Sequence, residues 1–311
     1  MILVTGASGF VGRALCAQLL ASGTAVIGVV RKDAASGEVA IGALRADNDW
    51  RAALVGCDAV IHLAARVHVM DELDSDPLRA YREVNVEATL NLARQAALAG
   101  VKRFVFVSSV KVNGEATNGT PFSAADVPRP CDPYGRSKLE AELALQALAR
   151  ATGLEVVIVR PPLVYGPGVK ANFLNLMKMV RRGLPLPLAS VRNRRSMVAL
   201  DNLVDLLIVC AHDPRAAGAT FMVSDGHDVS ISELIRMLAD AMGRPARLVP
   251  VPVGVLAAAA RLVGKAATAD RLMGSLQVDI AHTRARLGWA PVVEVQAAVD
   301  LTVRHFLKSL E

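Results

Sequence analysis

Tyr134 and Lys138 have the side-chain types and the spacing needed for proton transfer. The segment DPYGRSK places them four residues apart, where the pattern predicts the start of a helix, so both side chains project from one face. A lysine ammonium beside a phenol stabilises the phenolate and lowers the tyrosine pKa from about 10 toward neutrality. Such a tyrosine can donate or accept a proton at a substrate oxygen. An exposed helix can carry the same spacing by chance, so the interpretation depends on the rest of the chain.

Three evenly spaced glycines follow the first apolar run, ILVTG (2–6). Gly6, Gly9 and Gly12 lie in TGASGFVG, between a predicted strand and a predicted helix. In a dinucleotide-binding loop the first glycine permits the tight turn, the second lets the backbone approach a pyrophosphate, and the third allows close helix packing. The helix N-terminus then offers free N–H groups to the phosphates. We therefore expect a dinucleotide cofactor here.

Short β-rich runs alternate with helical stretches along much of the chain. The runs are ILVTG (2–6), AVIGVV (25–30), GALRAD (42–47), DAVIHLAA (58–65), RFVFVSS (103–109), EVVIVRP (155–161) and TFMVSDG (220–226). This alternation predicts an α/β fold with a doubly wound parallel sheet (Rossmann). A dinucleotide-binding domain would comprise residues 1–161 and about 196–224, and a smaller C-terminal substrate lobe would comprise 162–195 and 225–311.

The composition indicates a globular protein that binds an anionic small molecule. Of 311 residues, 53% are hydrophobic and 21% charged, and the net charge is +6. Lys and Arg are scattered, whereas nucleic-acid binding would need a basic stripe with aromatic partners, so we expect no nucleic-acid partner. The four cysteines lack metal-ligand and disulfide spacing, which predicts free thiols and no metal.

The sequence pattern also bears on location. MILVTGASG begins a strand at once, so we expect no signal peptide and a cytoplasmic protein. The apolar stretch 250–267 is interrupted by Arg261 and Lys265, which predicts no membrane insertion. That stretch would pack on the substrate lobe or contact a membrane surface.

The GxxGxxG spacing and motifs along nearly the whole chain resemble those of extended short-chain dehydrogenases/reductases that act on nucleotide sugars. Besides TGASGFVG, the motifs are HLAA (62–65), NVEATLNL (85–92), SS (108–109), YGRSK (134–138), VRPPLVYGPG (159–168) and RRSMVALDNLVD (194–205). The resemblance implies that a nicotinamide dinucleotide contacts Gly6, Ser8, Gly9, Phe10, Val11, Gly12, Leu63, Ala64, Ala65, Tyr134, Lys138 and Pro161. Asp47 would accept a hydrogen bond from adenine or be an exposed loop acid.

The same resemblance assigns catalysis to Ser109, Tyr134 and Lys138. The Ser109 hydroxyl would hold the substrate oxygen while Tyr134 transfers the proton, and Lys138 would tune Tyr134 and contact the nicotinamide ribose. Ser108 is a competing candidate for the hydroxyl.

The segment after these serines departs from the family pattern. In the family that the chain resembles, the catalytic hydroxyl residue stands three residues before the valine of a V-Y-G-like segment. Here that segment is VNG (112–114), so the resemblance selects Ser109 over Ser108, and Asn113 replaces the usual tyrosine. The family's 4,6-dehydratases carry Asp-Glu directly after the catalytic hydroxyl residue, whereas Val110 and Lys111 follow here. We therefore expect simple redox chemistry at a sugar carbon and no dehydration.

The substrate implied by the resemblance is a UDP-sugar. Its expected contacts are Asn85, Ser109, Asn172, Arg195 and Arg271. Guanidinium groups bind phosphate oxygens in bidentate fashion, so Arg195 and Arg271 would clamp the diphosphate. Alternatively, Arg192, Arg194 and Arg195 form a solvated basic loop. We expect His62 to be structural.

The second predicted strand ends with cations where an acid usually holds the cofactor ribose. Aligned by strand, that acid's site falls at Val30, and Arg31 and Lys32 follow at once. Two adjacent cations can bind a 2′-phosphate, which favours NADP(H), with NAD(H) also accepted. The alternative is a basic turn in which Asp33 reaches the ribose.

Three functions remain open from the sequence. A 4-reductase would deliver hydride from dissociable NAD(P)H to a 4-keto sugar, a 4-epimerase would remove and return hydride with tightly held NAD, and a non-catalytic relative would only bind nucleotide. SSVKVNGE and GSLQVDIAHTRARLGW look most like bacterial 4-reductases of UDP-2-acetamido-4-keto-2,6-dideoxyhexose, which serve O-antigen or related surface polysaccharides. We expect this reductase, with the epimerase as the alternative. The resemblance also implies a homodimer that pairs helices near 80–99 and 136–151.

Overall fold

Seven parallel strands form the central sheet of the protein. The computed structural model describes residues 1–67, 76–262, 264 and 266–310. Its strands are β1 (Ile2–Thr5), β2 (Val26–Val30), β3 (Glu38–Ala40), β4 (Ala59–His62), β5 (Arg103–Val107), β6 (Glu155–Arg160), β7 (Leu163–Tyr165), β8 (Met197–Ala199) and β9 (Thr220–Met222). The order in the large sheet is β3-β2-β1-β4-β5-β6-β9, and β7 pairs with β8 in a small second sheet.

Helices cover both faces of the large sheet. The helices are α1 (Phe10–Ala21), α2 (Arg51–Leu54), α3 (Pro77–Arg82), α4 (Ala88–Leu98), α5 (Pro133–Thr152), α6 (Ala171–Arg181), α7 (Leu200–His212), α8 (Ile231–Ala241), α9 (Val253–Leu262), α10 (Ala266–Met273), α11 (Ala281–Leu287) and α12 (Val295–Lys308). In β1, Ile2 and Val4 pack in one core with α1 and α7, and Leu3 packs in the other core with α2, α4 and α5. Strands buried on both faces carry runs of apolar residues, as Ile2, Leu3 and Val4 do in β1. The structure confirms the predicted doubly wound α/β fold.

The crevice of the sheet lies where the strand order reverses. β1 has β2 on one side and β4 on the other, so the connections after β1 and β4 leave in opposite directions. In doubly wound sheets, ligands bind outside the carboxyl ends of the strands at such a point. The predicted cofactor and catalytic segments follow β1, β4 and β5, and therefore meet at this edge.

The third strand is earlier than the sequence predicts. GALRAD (42–47) forms no strand, and β3 follows the loop 31–37 directly. Backbone hydrogen bonds from Gly28 to Gly37 and from Ile41 to Val30 hold β3 beside β2. Beyond it, the Asn48 amide donates to the carbonyls of Ile41 and Ala43, so this backbone pairs with a side chain instead of a strand.

One predicted helix is interrupted by a wider turn. The stretch predicted at 78–100 begins at Pro77, where the Asp76 side chain caps it, and ends at Leu98. Residues Glu83–Glu87 form a π-helical turn between α3 and α4. Such turns occur often at functional sites, and this one carries the buried Asn85.

A third apolar core lies beside the sheet. It joins one face each of α6, α8 and α12 with Tyr165 of β7, and α9 contributes no buried residue to it. The predicted domain boundaries stay a prediction. Lys265 lies outside the described residues, and the four cysteines are free. Within the described ranges, no helix combines the length and apolarity needed to cross a bilayer.

Candidate active site

The glycine loop after β1 is shaped for close backbone approach. Gly6 has φ +69°, and a Cβ there would lie 3.0 Å from the backbone nitrogen of Ala64. A Cβ on Gly12 would lie 2.1 Å from the carbonyl oxygen of Gly6, so α1 presses directly on the turn. At Gly9, the N-cap of α1, no side chain occupies the helix end and no acid stands in the first turn. These features fit a dinucleotide pyrophosphate at the N-terminus of α1.

The segment after β4 forms the neighbouring wall of the crevice. The backbone N–H groups of Leu63 and Ala64 each lie 3.2 Å from Thr5 Oγ1, to which they donate. Hydrogen bonds join the two ring nitrogens of His62 to Thr5 Oγ1 (2.7 Å) and Thr89 Oγ1 (2.9 Å). Burial, with a smaller effect of Lys138, lowers the pKa of His62 to about 3. His62 is therefore neutral, and it ties β4 to β1 and α4.

The end of β2 carries the predicted cofactor-selecting residues on the surface. Val30 is buried, whereas Arg31 and Lys32 are exposed just beyond it, and Asp33 adopts φ +55°. Asp47 is exposed in a surface depression on the α2–α4 side of the molecule. Cofactor contacts by these residues stay predictions.

Ser109, Tyr134 and Lys138 come together at the carboxyl end of β5. Ser109 follows this strand and begins a 3₁₀ turn, and Tyr134 and Lys138 lie one turn apart at the start of α5. The Ser109 hydroxyl hydrogen-bonds the Tyr134 phenol and lowers its pKa. Lys138 Nζ donates to the Val107 carbonyl oxygen at 2.8 Å. The predicted group is thus assembled beside the crevice.

The pKa of Tyr134 differs from the sequence-based expectation. Burial is the largest cause and raises this pKa above its ordinary value of 10.0, and the Asp132 carboxylate raises it further. Burial also lowers the pKa of Lys138 to about 7, against a raising effect of Glu142. No hydrogen bond joins the described side chains of Lys138 and Tyr134. The predicted lowering toward neutrality is therefore wrong for the protein alone, because loss of water around the phenolate outweighs the favourable contacts.

The two serines after β5 differ in their surroundings. Ser108 is buried, and its hydroxyl has no hydrogen-bond partner among the described residues. Ser109 is half-buried and is the serine that meets Tyr134. This geometry favours Ser109 as the candidate that would contact a substrate oxygen.

A buried ion pair supports this group from behind. Arg160 ends β6 and places Nε and Nη2 3.0 Å and 2.6 Å from the two carboxylate oxygens of Glu142, one turn after Lys138. Arg160 Nη1 also donates to Asn113 Oδ1 at 3.1 Å, and the Asn113 amide donates to the Ser123 carbonyl. The residue that replaces the family's usual tyrosine therefore holds a buried guanidinium. The sequence motifs do not predict this network, although Glu142 lies one helical turn after Lys138.

Asn85 joins two segments of the protein through its side-chain amide. Its Nδ2 donates to the Arg66 carbonyl and to Ser137 Oγ, both at 3.0 Å, and its Oδ1 accepts from the Arg66 N–H at 2.8 Å. The side chain is 1% exposed, and both amide hydrogens are used. Asn85 therefore ties the β4 segment to α5, and its predicted contact with the sugar stays a prediction.

The remaining predicted substrate residues lie in the C-terminal half. Arg195 Nη1 donates to the carbonyls of Arg271 (2.6 Å) and Gly274 (3.0 Å), so the structure brings the two arginine segments together. Arg192, Arg194 and Asn172 are exposed. The carbonyl of Pro161, buried after β6, accepts the Val110 N–H at 3.0 Å. A bound diphosphate at these arginines stays a prediction.

Comparison with known proteins identifies the family of this fold and site. Residues 2–224 match the profile of the NAD dependent epimerase/dehydratase family, and the chain belongs to that family. A UDP-glucose 4-epimerase of Vibrio cholerae is 46% identical over 314 residues, covering 99% of this chain and 96% of the relative. A UDP-glucose 4-epimerase of Mycolicibacterium smegmatis is 31% identical over 334 residues, covering 98% and 97%. The solved structure of MoeE5 in complex with UDP-glucose and NAD has 27% identity and a TM-score of 0.80, covering 100% of this chain and 99% of that chain.

Proposed function

We propose that the protein is an NAD-dependent 4-epimerase of UDP-sugars. The observation that carries the proposal is the meeting of Ser109, Tyr134 and Lys138 at the sheet edge that also holds the glycine loop. A reductase would use the same three side chains. Two relatives named UDP-glucose 4-epimerase, one of them 46% identical, support the epimerase better than the 4-reductase that the sequence motifs predict.

In this proposal Tyr134 moves the proton. As a phenolate it accepts the proton of the sugar 4-hydroxyl while hydride leaves carbon 4, and it returns the proton after hydride adds to the opposite face of the ring. NAD⁺ held at the glycine loop would supply the acceptor for that hydride and would be its donor in the return step. Ser109 holds the C4 oxygen throughout. The cycle has no net oxidation, and so it needs no added reductant.

Ionisation of Tyr134 requires a change in the charges around its phenol group. Burial favours the neutral phenol, and a nearby cation favours the phenolate. The Lys138 ammonium and the positive nicotinamide ring of NAD⁺ are two such cations. We therefore expect cofactor binding to lower the Tyr134 pKa and to activate the proton acceptor only in the complex.

The 4-reductase remains a second candidate because of one observation. Val30 cannot hold a ribose hydroxyl, and Arg31 and Lys32 are exposed where they can meet a 2′-phosphate. A dissociable NADP(H) fits such a site and fits a reductase, whereas an epimerase retains its NAD.

A paired assay separates the two reactions. The purified protein is incubated with UDP-glucose or UDP-N-acetylglucosamine without added cofactor, and the sugar products are resolved by chromatography. In parallel, NADPH and NADH oxidation is followed at 340 nm with UDP-2-acetamido-4-keto-2,6-dideoxyglucose. Formation of UDP-galactose or UDP-N-acetylgalactosamine supports the epimerase, and keto-sugar-dependent oxidation without interconversion would replace it with the reductase. Tyr134→Phe is the matched inactive control in both arms.

Exposed apolar side chains on α4 and α5 support self-association of the chain. Leu98 on α4 and Leu143 on α5 are apolar side chains with 87% and 56% exposure. Two copies could bury them by pairing α4 and α5, as the sequence resemblance implies.

A further inference from the structure

A row of alternating charges connects the start of α5 with α10. Lys111 Nζ forms ion pairs with Asp132 Oδ2 and with Glu115 Oε1, the latter at 3.3 Å. Arg271 Nε lies 3.8 Å from Glu115 Oε2 at the far end of the row. The Lys111 and Asp132 side chains are only 28% and 17% exposed, so water screens this pair less than it screens a surface pair.

Lys111 touches the segments of both candidate proton-handling residues. Its backbone N–H donates to Ser109 Oγ at 3.2 Å. Its ammonium binds Asp132, whose other carboxylate oxygen accepts the Gly135 N–H at 2.6 Å and so caps α5 beside Tyr134. A Cβ on Gly135 would lie 2.8 Å from the Lys111 carbonyl oxygen, so the two segments are in direct backbone contact.

We propose that Lys111 is a positioning residue for the Ser109–Tyr134 pair and acts through the Asp132 cap. The proposal rests on the proposed function, in which these two hydroxyls share a substrate oxygen. Lys111 fixes the Ser109 turn against the first turn of α5. It also partly neutralises the carboxylate beside the Tyr134 phenol, which no apolar side chain at this position could do.

The charge of Lys111 should also affect the pKa of Tyr134. The groups that act on Tyr134 are Asp132, Ser109 and Tyr81. Arg66 lies over the Tyr81 ring, Lys111 binds Asp132, and Lys138 lies one turn further along α5. Asp132 raises the pKa of Tyr134. Removal of the Lys111 charge takes a cation away from Asp132, and so the Tyr134 pKa should rise.

The test compares Lys111→Met and Lys111→Gln with Lys111→Arg, and uses Lys178→Met on the exposed surface of α6 as the matched control. The chain has three tyrosines, so Tyr134 ionisation can be followed at 295 nm in the NAD⁺ complex after subtraction of Tyr134→Phe. Both neutral variants should shift its midpoint to higher pH by about 0.5 unit or more. The midpoint in Lys111→Arg should stay near the wild-type value, and the midpoint in Lys178→Met should equal the wild-type value.

Turnover of UDP-glucose supplies the second readout. In the neutral variants kcat should fall roughly tenfold with little change in KM, and the acidic limb of the pH profile should move to higher pH. An unchanged Tyr134 midpoint in a folded neutral variant would overturn the proposal, as would a loss of kcat that Lys111→Arg does not restore. Failure of the wild type to turn over any UDP-sugar would refute the proposed function instead, while the absorbance titration still decides the role of Lys111.

Discussion

The ammonium nitrogen of Lys138 lies 2.8 Å from the carbonyl oxygen of Val107, inside the protein at the end of β5. Its Nζ also lies 4.4 Å from the centroid of the Phe106 ring. These contacts hold a cation in a site with little water, next to the candidate proton donor and acceptor. The cost of burying that charge has measurable consequences.

Lys138→Met should stabilise the cofactor-free protein at low pH. The folded pKa of about 7 lies below the ordinary 10.5, so the charged form costs free energy when it is buried. This cost is fully present below pH 7 and fades as pH rises toward 10.5, where the unfolded chain also loses the proton. The gain in the free energy of unfolding should be on the order of a few kcal/mol at pH 6 and small near pH 10. Urea unfolding at several pH values measures it, with Lys178→Met as control, and a gain independent of pH would contradict the explanation.

Glu142→Gln should destabilise the fold. Arg160 and Glu142 are 5% and 1% exposed, and removal of one charge leaves the other buried without its partner. We expect a loss of about 3–5 kcal/mol in the free energy of unfolding. The double variant Glu142→Met with Arg160→Met should recover a large part of that loss. Equal losses in single and double variants would show that packing, and not charge, dominates.

Arg271→Ala should weaken substrate binding. Its guanidinium is half exposed beside Glu115, and its backbone carbonyl is held by Arg195, which suits an arginine that turns to a diphosphate. Loss of a charge-assisted phosphate contact should raise KM for the UDP-sugar roughly tenfold, with a smaller effect on kcat. Arg192→Ala, an exposed arginine of the neighbouring loop, is the control. Identical KM values for the two variants would show that Arg271 does not bind the substrate.

Arg31→Ala combined with Lys32→Ala should change cofactor preference. If these exposed cations bind a 2′-phosphate, the Kd for NADPH should rise by about tenfold or more, and that for NADH should hardly change. Fluorescence titration of both dinucleotides measures the ratio. If the binding of NADPH and of NADH weakened equally, Arg31 and Lys32 would not recognise the 2′-phosphate. The observation that favours the reductase would then be lost.

Sequence patterns predict the features that depend on local spacing. Neighbouring glycines of the loop are three residues apart, and Tyr134 and Lys138 are four residues apart, so local spacing brings each set together. The contacts of Asn113 with Arg160, and of Asn85 with Arg66 and Ser137, join distant segments. The periodicity of the sequence does not predict these contacts. The direction of the Tyr134 pKa shift depends on burial, which a pair of residue types does not disclose. The end of β3 is likewise marked by a distant side chain, because the Asn48 amide donates to the Ile41 carbonyl.

In the proposed reaction, Tyr134 would exchange a proton with the 4-hydroxyl group of a UDP-sugar, and the NAD cofactor would exchange a hydride with carbon 4. The most direct measurement uses UDP-glucose deuterated at carbon 4, without added cofactor, and analyses the product by NMR. We expect UDP-galactose that retains deuterium at carbon 4, with turnover reduced by about 10²–10⁴ in Tyr134→Phe. Tyr81→Phe, which keeps the ring packed against Tyr134, should remain active. Loss of the deuterium to water would exclude hydride transfer at carbon 4, and full activity in Tyr134→Phe would exclude Tyr134 as the proton carrier.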